Sequence, residues 1–315
     1  MRIVFFGTSS FAVGILEALA KNGDVVSAVT QPDRVMGRGY KLCPTPVKRY
    51  CLEAGIPLFT PEKVNSTESA EHLKSLKPDV FAVAAFGKIL KKEILGLPPL
   101  GPVNVHGSLL PAYRGAAPIQ WALINGETLT GITTFLMDEG IDTGKIILRE
   151  QVDIAGNDDY RTLSDKLAKT GSLLLLRTLE EVEGKKVSLI PQDDSLATYA
   201  PKITPDMEWI DWSRPSERVS GLIRALSPSP GAKACFRNKI VKILKSSAYP
   251  ADNYKGEPGK VLNIDRLHGI IVSCGTGAVA VRSVKPECRN EMGFGDFVNG
   301  SRLKAGDVFS GKVLQ

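Results

Sequence analysis

Short apolar runs alternate with amphipathic stretches through the first two-thirds of the chain. The run 2–6 breaks at Gly7-Thr8-Ser9-Ser10, and over 11–21 Phe11, Ile15, Ala18 and Leu19 share one helical face. Further runs at 25–30, 79–86, 103–106 and 132–137 are short, rich in β-branched or aromatic residues and bounded by Gly or Pro, so they predict strands. Helical patterns lie between them at 45–54, 66–76 and 117–125. A longer one at 159–183 carries Leu163, Leu167, Leu174, Thr178 and Val182 at helical spacing. Alternation of this kind predicts an α/β domain, an open and mainly parallel sheet covered on both faces. Ligands on such sheets bind beyond the carboxyl ends of the strands, so Gly7, Phe86 and His106 should ring one cleft.

After a helix predicted at 215–225 the texture changes. Five short runs, 232–236, 239–244, 259–264, 269–274 and 278–283, follow at near-regular spacing with Gly or Asn between them. That pattern predicts a small β-barrel. Neither internal repeats nor low-complexity segments interrupt the sequence.

Charge separates the same two regions. Residues 1–205 carry 23 Lys+Arg against 23 Asp+Glu, and residues 206–315 carry 17 against 11, which accounts for the whole formal charge of +6. A basic second half beside a neutral first half fits a polyanionic partner, although a merely soluble surface would read the same way. The five cysteines (Cys43, Cys51, Cys235, Cys274, Cys288) and three histidines are scattered, which argues against a metal site or a disulfide framework. No run of about 18 apolar residues predicts a membrane span, and the first residues do not form a secretory signal. A cytoplasmic, monomeric protein is expected.

Three stretches carry candidate chemistry. Gly7-Thr8-Ser9-Ser10 follows a strand and opens a helix, yet it lacks G-x-G-x-x-G and reads as a tight turn. Asn104 and His106, two apart in a strand, project from one face. An amide and an imidazole side by side can bond an oxygen that becomes negative in a tetrahedral intermediate, whereas a structural histidine would need no such neighbour. A long irregular loop, Gly107-Ser108-Leu109-Leu110-Pro111-Ala112-Tyr113-Arg114-Gly115, follows them. Asp138-Glu139-Gly140-Ile141-Asp142-Thr143-Gly144 forms a second loop with three carboxylates, one of which can orient an imidazole and accept a proton. Taken alone it is also a plain solvated turn. No nucleophile elbow surrounds Ser108, which favours direct transfer over a covalent acyl-enzyme.

Asn-x-His-Gly-Ser-Leu-Leu-Pro-x-x-Arg-Gly, followed by Asp142-Thr143-Gly144, resembles the folate-dependent formyltransferases over essentially the whole chain. The resemblance implies a Rossmann-like catalytic domain at 1–194, a linker at 195–208 and an OB-like tRNA-binding domain at 209–315. It also implies 10-formyltetrahydrofolate as donor, with no metal, and the α-amino group of methionine on initiator tRNA as acceptor. Asn104, His106 and Asp142 would be catalytic. Phe86, Gly87, Lys88 and Ser108, Leu109, Leu110, Pro111 would line the pterin pocket. Arg34, Arg38, Lys41, Lys48 and Arg49, in a basic insertion at 33–49, would contact tRNA, with Arg38 at its tip. An amino-sugar nucleotide or water as acceptor, and a non-catalytic RNA-binding module, are the competing readings; the basic barrel and insertion favour RNA.

Overall fold

The computed structural model describes residues 1–36, 41–249 and 257–312, without the side chains of residues 35, 36 and 41. Tertiary contacts divide the chain into two compact units, the first made of Met1–Pro118, Leu129–Asp153 and Ser164–Ala200. The second contains Pro201–Gln315 together with Ile119–Thr128 and Ile154–Leu163.

Among the described residues the first unit has nine strands: β1 (Arg2–Gly7), β2 (Asp24–Val29), β3 (Arg34–Met36), β4 (Lys41–Cys43), β5 (Leu58–Phe59), β6 (Val80–Ala84), β7 (Pro102–His106), β8 (Leu129–Leu136) and β9 (Lys145–Asp153). Seven of them form one sheet in the order β5-β2-β1-β6-β7-β8-β9. Pairing is parallel from β5 to β7 and antiparallel at β7-β8 and β8-β9. This is the expected mainly parallel sheet, and β6 is buried along its whole length, as a strand covered on both faces must be. Strand β9 was not apparent in the apolar pattern. Its Arg149-Glu150-Gln151 stretch is polar because only one end of this edge strand is buried.

Helices α1 (Ser10–Asn22), α2 (Pro46–Ala54), α3 (Thr67–Ser75), the short α4 (Lys92–Leu95), α5 (Pro118–Asn125) and α6 (Tyr160–Glu183) connect or cover these strands. Helix α2 shows how local chemistry sets the ends. The Thr45 side chain accepts a hydrogen bond from Lys48 N, Pro46 sits where no N–H is needed, and Gly55 closes the helix at φ 69°. Such a cap contributes about 1 kcal/mol. Gly171 in α6 lets Val105 approach, since a Cβ there would lie 3.0 Å from Val105 Cγ1. Val105 therefore faces α6, and Asn104 and His106 point to the opposite side of β7.

In the second unit, α7 (Ser216–Ala225) is followed by β10 (Ala232–Phe236), β11 (Lys239–Tyr249), β12 (Val261–Asp265), β13 (Gly269–Ser273) and β14 (Ala278–Pro286), and then α8 (Phe294–Ser301). They make a curled antiparallel sheet in the order β12-β13-β14-β11-β10, with Phe309–Ser310 added beyond β10. Trp212, Phe236, Phe297 and Phe309 fill its core together with the inward-facing Val and Ile residues. Strand β11 runs five residues past the predicted 239–244, because Ser246, Ser247 and Ala248 stay paired with Val281, Ala280 and Val279 after a bulge at Lys245. Small residues there hide the strand from a hydrophobic count.

None of the five cysteines forms a disulfide. Burial pushes the Cys51 thiol up to about 11 and the Cys274 thiol to about 12, so both stay protonated and unreactive at neutral pH. Among the described residues no helix is long and apolar enough to cross a membrane. No group of three metal-ligating side chains comes together among them either.

Candidate active site at the carboxyl ends of the strands

Strands β1, β6 and β7 lie side by side, so Gly7, Phe86 and His106 leave the sheet at one end. Thr8 Oγ1 donates to Phe86 O at 2.9 Å and Gln31 Nε2 donates to it at 2.6 Å, which ties the turns after β1 and β2 to the one after β6. The turn after Gly7 is tight: a Cβ on Gly7 would lie 2.5 Å from the Phe5 ring and 2.7 Å from Ala12 Cβ.

His106 is 6% exposed and occupies the last position of β7. Its Nε2 lies 2.9 Å from Tyr113 O, and a carbonyl can only accept, so Nε2 carries a proton. Its Nδ1 faces Asp142 Oδ2 at 3.6 Å and is a donor toward that carboxylate only in the imidazolium form. Asn104 is half-buried, and among the described residues its amide has no protein partner. An unengaged donor thus stands two positions before a histidine whose ring is fixed from both sides.

Of the three carboxylates in the second loop, the structure brings Asp142 to the histidine. Asp138 is occupied with its own loop, accepting from Gly140 N at 3.0 Å and Thr143 Oγ1 at 2.7 Å. Asp142 has φ 55°, a left-handed conformation uncommon for a residue with a side chain. Its Oδ2 accepts from Gly115 N at 2.8 Å. Gln192 Nε2 donates to the backbone carbonyls of Asp142 (2.8 Å) and Gly144 (2.7 Å). A cavity of about 530 Å³ opens beside this loop, with Leu95 and Met137 as apolar walls and Lys92, Asp138 and Glu139 at its edge. Its size suits a small organic ligand.

The loop between β7 and α5 is held through its backbone groups, mostly by partners from other segments. Buried Thr133 Oγ1 donates to Ser108 O (2.7 Å) and accepts from Leu110 N (3.0 Å). Leu109 O accepts from Ala112 N, Pro111 O from Thr198 N and Leu110 O from Arg149 Nη1. Leu110 is fully buried with Phe135 and Ile146, while Leu109 and Pro111 remain partly exposed. Gly87 and Lys88 are exposed at the end of β6.

Residues 1–179 match the model of the formyl transferase family, and residues 202–302 match that of its C-terminal domain. Methionyl-tRNA formyltransferase of Caldanaerobacter subterraneus is 45% identical over 311 residues, 98% of this chain and 99% of its own. The enzyme of the same name from Dictyoglomus thermophilum is 42% identical over 98% of this chain and 100% of its own. The chain belongs to the methionyl-tRNA formyltransferase family. Solved structures agree on the fold. A sugar 3N-formyl transferase, WlaRD, superposes with a TM-score of 0.65 at 20% identity, covering 92% of this chain and 99% of its own. Methionyl-tRNA formyltransferase from Clostridium thermocellum gives 0.55 at 19% identity, covering 79% and 94%.

The formyltransferase's basic insertion folds in part into the hairpin β3-β4, pairing Arg34 with Cys43 and Met36 with Lys41. Arg34 bonds Gln31 Oε1, and Lys48 Nζ pairs with Asp33 Oδ2 at 2.7 Å, so these two cations are already partnered. Arg49 is exposed. Arg38 lies outside the described residues, as does the side chain of Lys41. Thr133, Gln192 and Thr198, which brace the two site loops, have no sequence signal of their own. Only the fold brings them to residues 23 to 87 positions away.

Proposed function

We propose that the protein transfers the formyl group of 10-formyltetrahydrofolate to the α-amino group of methionine esterified to initiator tRNA. The observation that carries this reading is the pairing of His106 with Asp142 beside the free Asn104 amide, in a chain 45% identical to a methionyl-tRNA formyltransferase along nearly its whole length. Asn104 donates to the formyl oxygen. His106, held between Tyr113 O and Asp142, stands beside Asn104 and supports the charge as it develops on that oxygen. The amine lone pair attacks the formyl carbon and the carbonyl pair moves onto oxygen. Its return breaks the bond to the folate nitrogen, which leaves with the proton that Asp142 has taken from the amine. Asp142 takes the proton released by the amine, directly or through water.

The open depression beside the 138–144 loop, with Leu95 and Met137 against Lys92, Asp138 and Glu139, offers the folate a resting place next to Asp142. Phe86–Lys88 and Ser108–Pro111 border the same end of the sheet. Of Ser108–Pro111, the partly exposed Leu109 and Pro111 are placed to line it, since Ser108 and Leu110 are buried and most of the backbone groups already bond protein. Arg34, Arg38, Lys41, Lys48 and Arg49, with the basic barrel, contact the acceptor RNA. The reading includes a monomeric protein working in the cytoplasm.

Incubation with 10-formyltetrahydrofolate and methionyl-tRNA should yield N-formylmethionyl-tRNA, detected by mass spectrometry after deacylation. A parallel reaction with an amino-sugar nucleotide should yield nothing. Product only in the second reaction would reassign the acceptor.

A further inference from the structure

Between the two matched regions, residues 190–200 run back across the catalytic loops. Ile190 bridges to Ile146 in β9, and Tyr199 bridges to Arg114. Arg114 N donates to Thr198 O at 2.8 Å, and Ala200 N donates to Arg114 O at 2.7 Å. We propose that this strap is part of the catalytic apparatus, with Gln192 as a positioning residue that sets Asp142 against His106. The proposal rests on the catalytic role assigned to Asp142 above.

Three consecutive residues carry the argument. Tyr113 O holds His106 Nε2, and Gly115 N holds the Asp142 carboxylate. Between them Arg114, 3% exposed, sends its side chain to the strap: Nε and Nη2 donate to Gln192 Oε1 at 3.1 and 2.8 Å, and Nη2 also reaches Asp194 Oδ1 at 2.7 Å. With its oxygen fixed by Arg114, the Gln192 amide can present only N–H groups to the other loop, and both go to carbonyls, of Asp142 and Gly144. The ring of contacts closes: Asp142 is held at its carboxylate by Gly115 and at its carbonyl by Gln192, and both anchors meet at Arg114–Gly115. A left-handed Asp142 persists only where its surroundings over-determine it, and these contacts supply that.

A strap that only stabilised the fold would need an anchor to Arg114 and nothing more. Gln192→Glu separates the two roles. It keeps an acceptor for Arg114, now as an ion pair, but turns carboxylate oxygens toward two carbonyls and loses both donors. A misplacement of about 1 Å costs on the order of 10²-fold in rate. Gln192→Glu should therefore lower kcat about 10–100-fold, with KM for folate and for methionyl-tRNA within about threefold of wild type in the folded enzyme. Gln192→Ala, which keeps neither bond, should show the same kcat loss even if it is less stable.

The decisive measurement is a double-mutant cycle with Asp142→Asn. Because Gln192 acts through Asp142, adding Gln192→Glu to Asp142→Asn should cost little more than Asp142→Asn alone. Multiplying losses would overturn the proposal, as would a Gln192→Glu enzyme with normal kcat beside an impaired Asp142→Asn. Full activity of Asp142→Asn by itself would overturn the reading of the site on which the proposal stands.

Discussion

At the level of single residues, the site works by assigning each polar atom one partner and leaving one donor open. His106 is pinned between a carbonyl and a carboxylate, so its ring cannot turn without losing a contact on either side. Replacing it with Ala removes the ring that Asp142 faces beside Asn104, and turnover should fall by about 10²–10³, the order of loss when one transition-state contact is removed. Steady-state kinetics with a matched thermal melt will check this, and an active, folded variant would remove His106 from the mechanism. Gly115 is constrained more sharply. It has φ 122°, and a Cβ there would lie 2.7 Å from Ala200 O, a backbone atom that cannot step aside alone. Gly115→Ala should cost about 1–3 kcal/mol of stability from backbone strain. Because Gly115 N bonds Asp142, turnover should fall as well. Urea unfolding reads the first effect, and single-turnover formylation the second.

Among elements, strand β8 does more than extend the sheet. His106 and Thr133 are register partners across β7-β8, and this pairing puts the Thr133 hydroxyl under the 108–110 turn. Thr133→Val keeps the shape of a fully buried side chain but leaves Ser108 O and Leu110 N without that partner. The expected cost is about 1–3 kcal/mol, the price of unsatisfied buried groups. Unchanged stability by chemical denaturation would mean that the turn is held by Arg149 and Ala112 alone. The regular elements were largely legible from periodicity because amphipathic helices and β-branched strands advertise which face is buried. The structure adds why two of these helices start where they do: the side chains of Thr45 and Ser66 each accept a bond from the residue three positions on. Edge strand β9 and the far half of β11 were not legible. Their residues are polar or small, and they are strands only because a neighbouring strand supplies the hydrogen bonds.

Across the whole molecule, charge and connectivity set the remaining expectations. Since the net charge of +6 resides in residues 206–315, KM for methionyl-tRNA should rise steeply between low and physiological salt while KM for the folate changes little. Equal salt dependence for the two substrates would count against a polyanionic acceptor. Removing everything after residue 205 should not leave an intact first half. Arg218 Nη1 bonds Asn125 Oδ1 at 2.6 Å, Arg224 Nη1 bonds Asp158 O at 3.1 Å, and Gly221 packs on the backbone of Leu123 and Ile124. The truncated chain should therefore melt earlier by calorimetry and expose the segments 119–128 and 154–163 to protease. The amino-acid order alone determined the alternating α/β architecture, the change to a barrel, the strand end bearing Asn104 and His106 and the loop bearing Asp142. It did so because burial imposes periods of two and 3.6 residues, and because chemistry needs particular side chains close to strand ends. Tertiary structure alone decided which of three carboxylates meets the imidazole, which His106 nitrogen carries a proton, and that Gln192, 50 residues from Asp142, grips its loop. Those are contacts between distant segments, set by how the sheet orders its strands and where the chain returns, and no local pattern records them.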